Sequence, residues 1–143
     1  MRQKGFFLIL AAGFAISACV QLPVEPGGGR KLACAGPQCK VQVSVDCTLR
    51  VFCKIVVDND TIDVRRGNSP VLEWEIVTPG YAFADNGIAI NADGDEFTCR
   101  SGGADRQKFM CNDRHTKPGS YKYTIRLTGL PAVLPLDPWI VNG

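Results

Sequence analysis

The stretch from Tyr121 to Thr128 reads YKYTIRLT, and it decides the fold class of this chain. Its aromatic and aliphatic residues alternate with Lys, Thr and Arg, which is the period of two that a strand with one buried face requires. A second stretch, Leu72 to Ile76, reads LEWEI and repeats the pattern around Trp74. A slip of one residue would expose the whole apolar set, so both strands are expected to have a fixed register.

Five further segments show the same short alternation. They are 41–47, 52–57, 61–65, 97–100 and 108–111. Gly, Pro, Asn and Asp residues separate these segments, and no useful helical periodicity follows the first twenty residues. Short strands divided by turn residues predict an all-β fold, an antiparallel sandwich or barrel, in a single domain over residues 39–143.

Two motifs carry a resemblance to known β-sandwiches. One is a tryptophan on a central strand, and the other is a Pro-Gly-x-Tyr-x-Tyr segment that leads into a late strand; they are Trp74 and Pro118, Gly119, Tyr121 and Tyr123. The arrangement resembles an immunoglobulin-like or cupredoxin-like sandwich. The ending Leu136–Asn142 is also similar to the closing strand of small uncharacterised bacterial proteins with this architecture.

The first residues have the pattern of a secretory signal. Arg2 and Lys4 precede an apolar or small run from Gly5 to Ile16. This run is shorter than the roughly 20 residues that a membrane-spanning helix needs. A basic start, a short apolar stretch and small residues before a cut site are typical of a secretory signal peptide, here residues 1–18.

The segment Ile16-Ser17-Ala18-Cys19 resembles the lipobox of bacterial lipoproteins, although leucine is commoner than isoleucine at its first position. The resemblance implies that the Cys19 thiol receives a diacylglyceryl group, that cleavage occurs before Cys19, and that the new amino terminus is acylated, for example with palmitate. Two or more acyl chains give stable membrane anchoring. Because no Asp follows Cys19, the sorting habit of the family implies the outer membrane, with the domain in the periplasm or at the surface.

Residues 19–38 are predicted to be a tether between lipid and domain. This stretch contains Pro23, Pro26, a glycine triplet at 27–29 and Gly36-Pro37. Such a composition favours a flexible linker over a regular element.

The charge balance argues against a nucleic-acid partner. Of the 16 basic residues, Arg2 and Lys4 lie in the signal segment, which leaves 14 against 14 acidic residues in the mature chain. Nucleic-acid binding normally requires a strongly basic face, and this mature chain is close to neutral.

Seven cysteines form an odd set, and acylation of Cys19 makes the remainder even. An oxidising compartment allows three disulfides among six cysteines, with 15 possible connectivities. The strand pattern favours one of these, because a hairpin about Leu49-Arg50 and a second hairpin around the polar loop 101–107 place cysteines opposite each other. The favoured pairs are Cys47 with Cys53, Cys99 with Cys111, and Cys34 with Cys39.

Metal and catalytic sites are not expected. The resemblance to cupredoxins invites a copper site, but such a site needs two histidines and a free cysteine. His115 is the only histidine, and Cys111 is assigned to a disulfide. Zinc would require four Cys or His ligands at a recognisable spacing. His115 lies in the polar segment 112–119, where a solvated, titratable surface residue is the expected interpretation.

Two acidic patterns leave alternatives open. Glu73 and Glu75 lie on one strand face about 7 Å apart, within a range that glycosidases use, although a solvent-facing strand explains them as well. The segment Asn91–Glu96 has oxygen ligands at alternate positions, as a weak calcium loop would, but it departs from the EF-hand pattern. An acidic hairpin turn explains this segment fully.

These observations predict a membrane-anchored envelope lipoprotein that acts as a non-catalytic binding or structural module without a cofactor. Its partner would be another envelope protein, peptidoglycan or an external ligand. The alternative is an inhibitor of a hydrolase such as lysozyme, or a small periplasmic enzyme. Small lipid-anchored lysozyme inhibitors are similar in size and disulfide use, but their motifs have no match in this sequence.

Overall fold

A computed structural model of the chain describes residues 29–48 and 52–143. Within these residues the regular structure consists of ten strands. They are β1 (Lys31–Cys34), β2 (Gln38–Thr48), β3 (Phe52–Val57), β4 (Thr61–Val64), β5 (Val71–Ile76), β6 (Tyr81–Ile90), β7 (Phe97–Gly102), β8 (Lys108–Asp113), β9 (Gly119–Gly129) and β10 (Trp139–Asn142). The predicted signal peptide, Cys19 and the predicted turn at Leu49-Arg50 lie outside the described residues.

The strands form two five-stranded sheets that pack face to face, which confirms the all-β sandwich. Sheet A has the order β1-β4-β10-β9-β6, and sheet B has the order β3-β2-β5-β8-β7. The seven alternating segments of the sequence lie in strands, apart from Arg65, which follows the last residue of β4. Among the described residues no helix is long and apolar enough to cross a membrane.

The expectation of a purely antiparallel sandwich is wrong, because both sheets are mixed. β4 runs parallel to both of its neighbours, β1 and β10, and β2 runs parallel to β5. Side chains alternate between the two faces of a strand whatever the direction of its partner. The sequence pattern therefore predicts the strands without predicting their relative direction.

The predicted tether extends too far along the chain. Lys31–Cys34 forms β1 and pairs with the whole of β4, so the folded domain begins before residue 39. Only four residues of β1 stand between the glycine triplet and Gly36-Pro37, which is too short a run to show a period. Pairing with β4 and the disulfide at Cys34 hold this strand in place.

Strand β6 contains a turn-like sequence, Asp85-Asn86-Gly87, in its middle. The strand continues through it with a register shift against β9 between Phe83 and Ile88. A Cβ atom on Gly87 would lie 2.6 Å from the Phe83 Cβ, so only glycine fits this close approach. Here the turn signal marks a β-bulge, as an isolated glycine in a strand often does.

The core lies between the sheets and is centred on Trp74 of β5 and Tyr123 of β9. Both side chains are fully buried, and their ring centroids lie 5.2 Å apart. Trp74 Nε1 donates a hydrogen bond of 3.2 Å to the Tyr123 hydroxyl, which joins the two sheets through side chains. Burial raises the pKa of Tyr123 well above its usual range, so this hydroxyl stays protonated.

The three favoured disulfides are confirmed. Cys47–Cys53 and Cys99–Cys111 join directly opposed residues of neighbouring strands, each with a Cα–Cα distance of 4.0 Å. Cys34–Cys39 closes the connection between β1 and β2, with a Cα–Cα distance of 5.7 Å. This last bridge joins sheet A to sheet B and lies in the core, since both of its cysteines are buried.

Replacing Tyr123 with Phe should lower the free energy of unfolding by about 1–3 kcal/mol, because a buried Trp74 N–H would lose its acceptor. Urea unfolding followed by tryptophan fluorescence measures the change. Tyr121→Phe is the matched control, because its hydroxyl donates to the Lys117 carbonyl at an exposed position. Equal losses of unfolding free energy in the two variants would contradict a stabilising role for the hydrogen bond between Trp74 and Tyr123.

Candidate functional site

Five polar residues meet at one end of the sandwich, where β8 and β10 both finish. We call them the polar end cluster: Asn68, Glu96, Asp113, His115 and Asn142. The Asn142 Nδ2 atom donates to Asp113 Oδ1 over 3.2 Å, which links the last residue of β10 to the last residue of β8. Because these strands belong to different sheets, this hydrogen bond closes the end of the core.

Strand alternation places both of these polar side chains inside. In β8 the inward residues are Phe109, Cys111 and Asp113, and in β10 they are Ile140 and Asn142. Asp113 and Asn142 are each at most 3% exposed. Extending the alternation by one step to the strand ends would have predicted this pair from the sequence.

The interpretation of His115 as a solvated residue is wrong. Its ring is half-buried, and both ring nitrogens contact backbone carbonyl oxygens: Nδ1 lies 2.7 Å from Asn68 O, and Nε2 lies 3.0 Å from Gly143 O. Both ring nitrogens of His115 therefore make contacts within the domain.

The backbone at His115 also belongs to the cluster. It adopts a positive φ of 47°, which is uncommon for a residue with a side chain, and its N–H donates to Asp113 Oδ1 over 2.9 Å. Asp113 therefore fixes the turn that aims the ring of His115 back at the domain. The position of the His115 ring thus depends on the side chain of Asp113, two residues earlier, and on the carbonyl of Asn68, which is distant in sequence.

Glu96 ends the acidic segment 91–96 and points inward. Its carboxylate accepts from the Thr116 and Lys117 backbone N–H groups over 2.7 and 3.1 Å and from the Thr116 hydroxyl. Burial raises the pKa of Glu96, but these hydrogen bonds and the nearby Lys117 charge outweigh it, so the pKa lies below its usual value. Glu96 therefore holds the loop after β8 as an ionised carboxylate.

The geometry gives the calcium interpretation of 91–96 no support. Glu96 is used by Thr116 and Lys117, and Asp95 pairs with Arg114. These contacts engage two of the oxygen donors that a calcium ion would need. Within 29–48 and 52–143, no group of three or more His, Cys, Asp or Glu side chains is arranged to hold a metal ion.

Asp113 differs from Glu96 in its electrostatics. Burial raises the pKa of Asp113 above its usual value, and the Glu96 charge adds to this, against the hydrogen bonds from His115 and Asn142. Its second oxygen, Oδ2, is buried without a hydrogen-bond partner among the described residues. The pKa values of the two buried carboxyl groups of the cluster are thus shifted in opposite directions.

The expectation that Glu73 faces solvent is wrong. It shares a face with Glu75, as predicted, but its side chain is only 7% exposed. Gln38 donates to Glu73 over 2.7 Å, and the Lys40 and Lys108 ammonium groups lie 3.4 and 3.8 Å away. Lys108 also contacts Glu75 over 3.5 Å, so this pair is neutralised by lysines rather than aligned as an acid and a base.

The predicted polar loop 101–107 is partly strand. Ser101 and Gly102 belong to β7, so the loop between the two disulfide-bearing strands is shorter than predicted.

A depression of about 130 Å³ lies beside β1 and is lined by Ala33, Cys34, Ala35, Asp63 and Arg65. This volume is below the roughly 300 Å³ at which pockets for small molecules begin.

No family model matches the chain, and no curated protein matches it either.

Glu96→Gln should destabilise the domain by about 1–2 kcal/mol at neutral pH, because hydrogen bonds to a charged acceptor are replaced by weaker ones. The pKa of Glu96 is lowered by folding, so its contribution is present above the pKa of the unfolded chain and is lost as the pH falls through the folded value. Urea unfolding from pH 7 to pH 3 should therefore show the difference from wild type shrinking with acid. A constant difference would contradict this account.

Asp113→Asn should show the opposite pH dependence. The variant keeps an acceptor for His115 and Asn142, whereas ionised Asp113 carries a burial penalty above its raised pKa. The free energy of unfolding of the wild type should fall as the pH rises through the raised pKa of Asp113, and that of the variant should not show this fall. The same unfolding series measures this, and a variant clearly less stable than wild type at pH 7 would exclude the penalty.

Proposed function

We propose that this chain is a lipid-anchored protein of the bacterial envelope whose β-sandwich acts as a non-catalytic binding or structural module. Cysteine pairing is the observation that carries the proposal. The six cysteines of the described domain pair with one another, and Cys19 is the seventh. Three internal disulfides leave no cysteine of the domain to form a disulfide with Cys19. This fits a Cys19 thiol that is acylated instead.

The residues around Cys19 support the same role. Ile16-Ser17-Ala18 precedes it in the manner of a lipobox, after a basic start and a short apolar run. Because β1 begins at Lys31, the tether between lipid and domain is shorter than the sequence suggests. A short link keeps the domain close to the membrane surface that holds the lipid.

The contacts of the acidic and basic side chains support a non-catalytic domain. Both nitrogens of His115, the carboxylate of Glu96 and the pair Glu73 and Glu75 are engaged within the domain. A general acid or base needs a group within reach of a substrate proton. The domain therefore fits a role in which its surface, rather than a cleft, contacts an envelope protein, peptidoglycan or an external ligand.

Replacing Cys19 with Ser should abolish acylation and release a soluble or uncleaved protein with an intact β domain. The measurement is fractionation of bacterial cells together with incorporation of labelled palmitate. Gln21→Ser is the matched control, because it changes a neighbouring residue and keeps the cysteine. A Cys19→Ser protein that is cleaved to the mature size and remains as firmly bound as wild type would overturn the proposal.

A further inference from the structure

The large apolar side chains that the described domain exposes are concentrated at one end. They are Phe52, Val77, Leu130 and Leu134, with exposed fractions of 74, 52, 89 and 82%. We call this set the apolar end. Exposed apolar residues are ordinary when scattered singly, whereas a group of them points to a contact surface.

The strand register places these residues opposite the polar end cluster. Phe52 pairs with Thr48, the last residue of β2, and Leu134 pairs with Lys54 two residues further along β3. Val77 follows the last residue of β5. Strands β2 and β5 both begin beside the polar end cluster, where Val71 pairs with Asn112, and they run away from it.

Sheet A puts Leu130 at the same end. It follows Gly129, the last residue of β9, which pairs with Tyr81 at the start of β6. The opposite end of β9 is Gly119, which pairs with Asn142 of the polar end cluster. The chain turns after Leu130 at this end and returns alongside β9, where Leu136 pairs with Ile125.

Strand β1 runs from the direction of the apolar end toward the polar end cluster. β1 runs parallel to β4 and β10, so Cys34 lies level with Asn142 and Lys31 lies level with Trp139. The carbonyl of Arg30 accepts from the Asp60 N–H over 2.8 Å, which holds the exit point beside the start of β4. The described chain thus begins at Gly29, on the side of β1 that is turned away from the polar end cluster.

The segment between Cys19 and Gly29 is long enough, when extended, to reach past the apolar end. Lys122 is level with Trp139, and the seven strand residues from there to Gly129 rise about 23 Å. The ten residue-to-residue steps from Cys19 to Gly29 span at most about 33–36 Å when extended. A lipid on Cys19 can therefore lie in the same plane as the apolar end.

The segment Leu130–Leu136 suits a lipid interface. Its sequence, LPAVLPL, has no charged residue, and Pro131 and Pro135 have no backbone N–H to desolvate. The Tyr81 hydroxyl donates to the Pro131 carbonyl over 2.8 Å, and Leu136 exchanges backbone hydrogen bonds with Ile125. Fewer unpaired backbone groups make insertion of this segment less costly.

We propose that the apolar end rests on the bilayer that holds the lipid of Cys19, with Leu130 and Leu134 in the interfacial region. The inference rests on the proposed lipid anchor, which keeps the apolar end at a high effective concentration near the surface. The domain then stands upright and presents the polar end cluster and its loops away from the membrane. A second copy of the chain is the competing occupant of this surface.

The test is quenching of a tryptophan at position 134. The full chain carrying Leu134→Trp is purified with its anchor and placed in vesicles of phosphatidylethanolamine and phosphatidylglycerol with brominated acyl chains. Leu134 is 82% exposed, so the change leaves the core intact, and the signal of wild-type Trp74 and Trp139 is subtracted. The added fluorescence should fall more than about twofold relative to non-brominated vesicles, since interfacial segments bury their apolar face at the depth of the acyl chains.

Arg66→Trp is the matched control, because Arg66 is exposed in the turn after β4 at the opposite end. Its fluorescence should not change between the two vesicle types. Leu130→Trp provides an independent position if Leu134→Trp lowers the urea midpoint of the domain. Both apolar-end variants should behave alike.

Flotation of the vesicles separates the possible failures. Protein that floats with the vesicles without quenching at position 134 overturns the upright orientation and leaves the lipid anchor in place. Protein that does not float overturns the anchor, and the inference with it. Floating protein whose position 134 becomes buried only in cross-linked dimers overturns the lipid contact in favour of a second copy.

Discussion

The contact between Trp74 and Tyr123 is the interaction on which the rest of the sandwich depends. Both side chains are fully buried, and the indole N–H finds its acceptor on the facing sheet. Because side chains alternate, fixing these two residues fixes which side chains of β5 and β9 point inward. The same alternation then turns Asp113 and Asn142 into the core at the strand ends, where they bond to each other.

Much of this arrangement was predictable from the sequence, because strand alternation and cross-strand cysteine pairs are local patterns. The strands of residues 41–47 and 121–128 and the three disulfides follow from such patterns. The parallel pairing of β4, the short strand β1 and the bulge at Gly87 did not follow from them. Each of these depends on a partner distant in sequence, which no local period encodes.

The same limit explains the errors at the candidate site. His115 is held by carbonyls of Asn68 and Gly143, and Glu73 is covered by Gln38 and two lysines. Glutamate is ordinarily exposed and histidine is intermediate in burial, and only the fold brings these partners to them. The sequence signal that was available, an inward polar residue at the end of an alternating strand, identifies Asp113 and Asn142 but not His115.

The two ends of the domain differ in a way that gives it a direction. One end is closed by the Cys34–Cys39 disulfide and the polar end cluster, and the other carries Leu130 and Leu134. This difference between the two ends bears on function through the proposed attachment of the chain to a membrane at Cys19. The most direct measurement is mass spectrometry of the amino-terminal peptide of the mature protein isolated from bacterial membranes. A peptide that begins at Cys19 and carries a diacylglyceryl group and an amide-linked acyl chain is the predicted result, and an unmodified Cys19 would contradict the account.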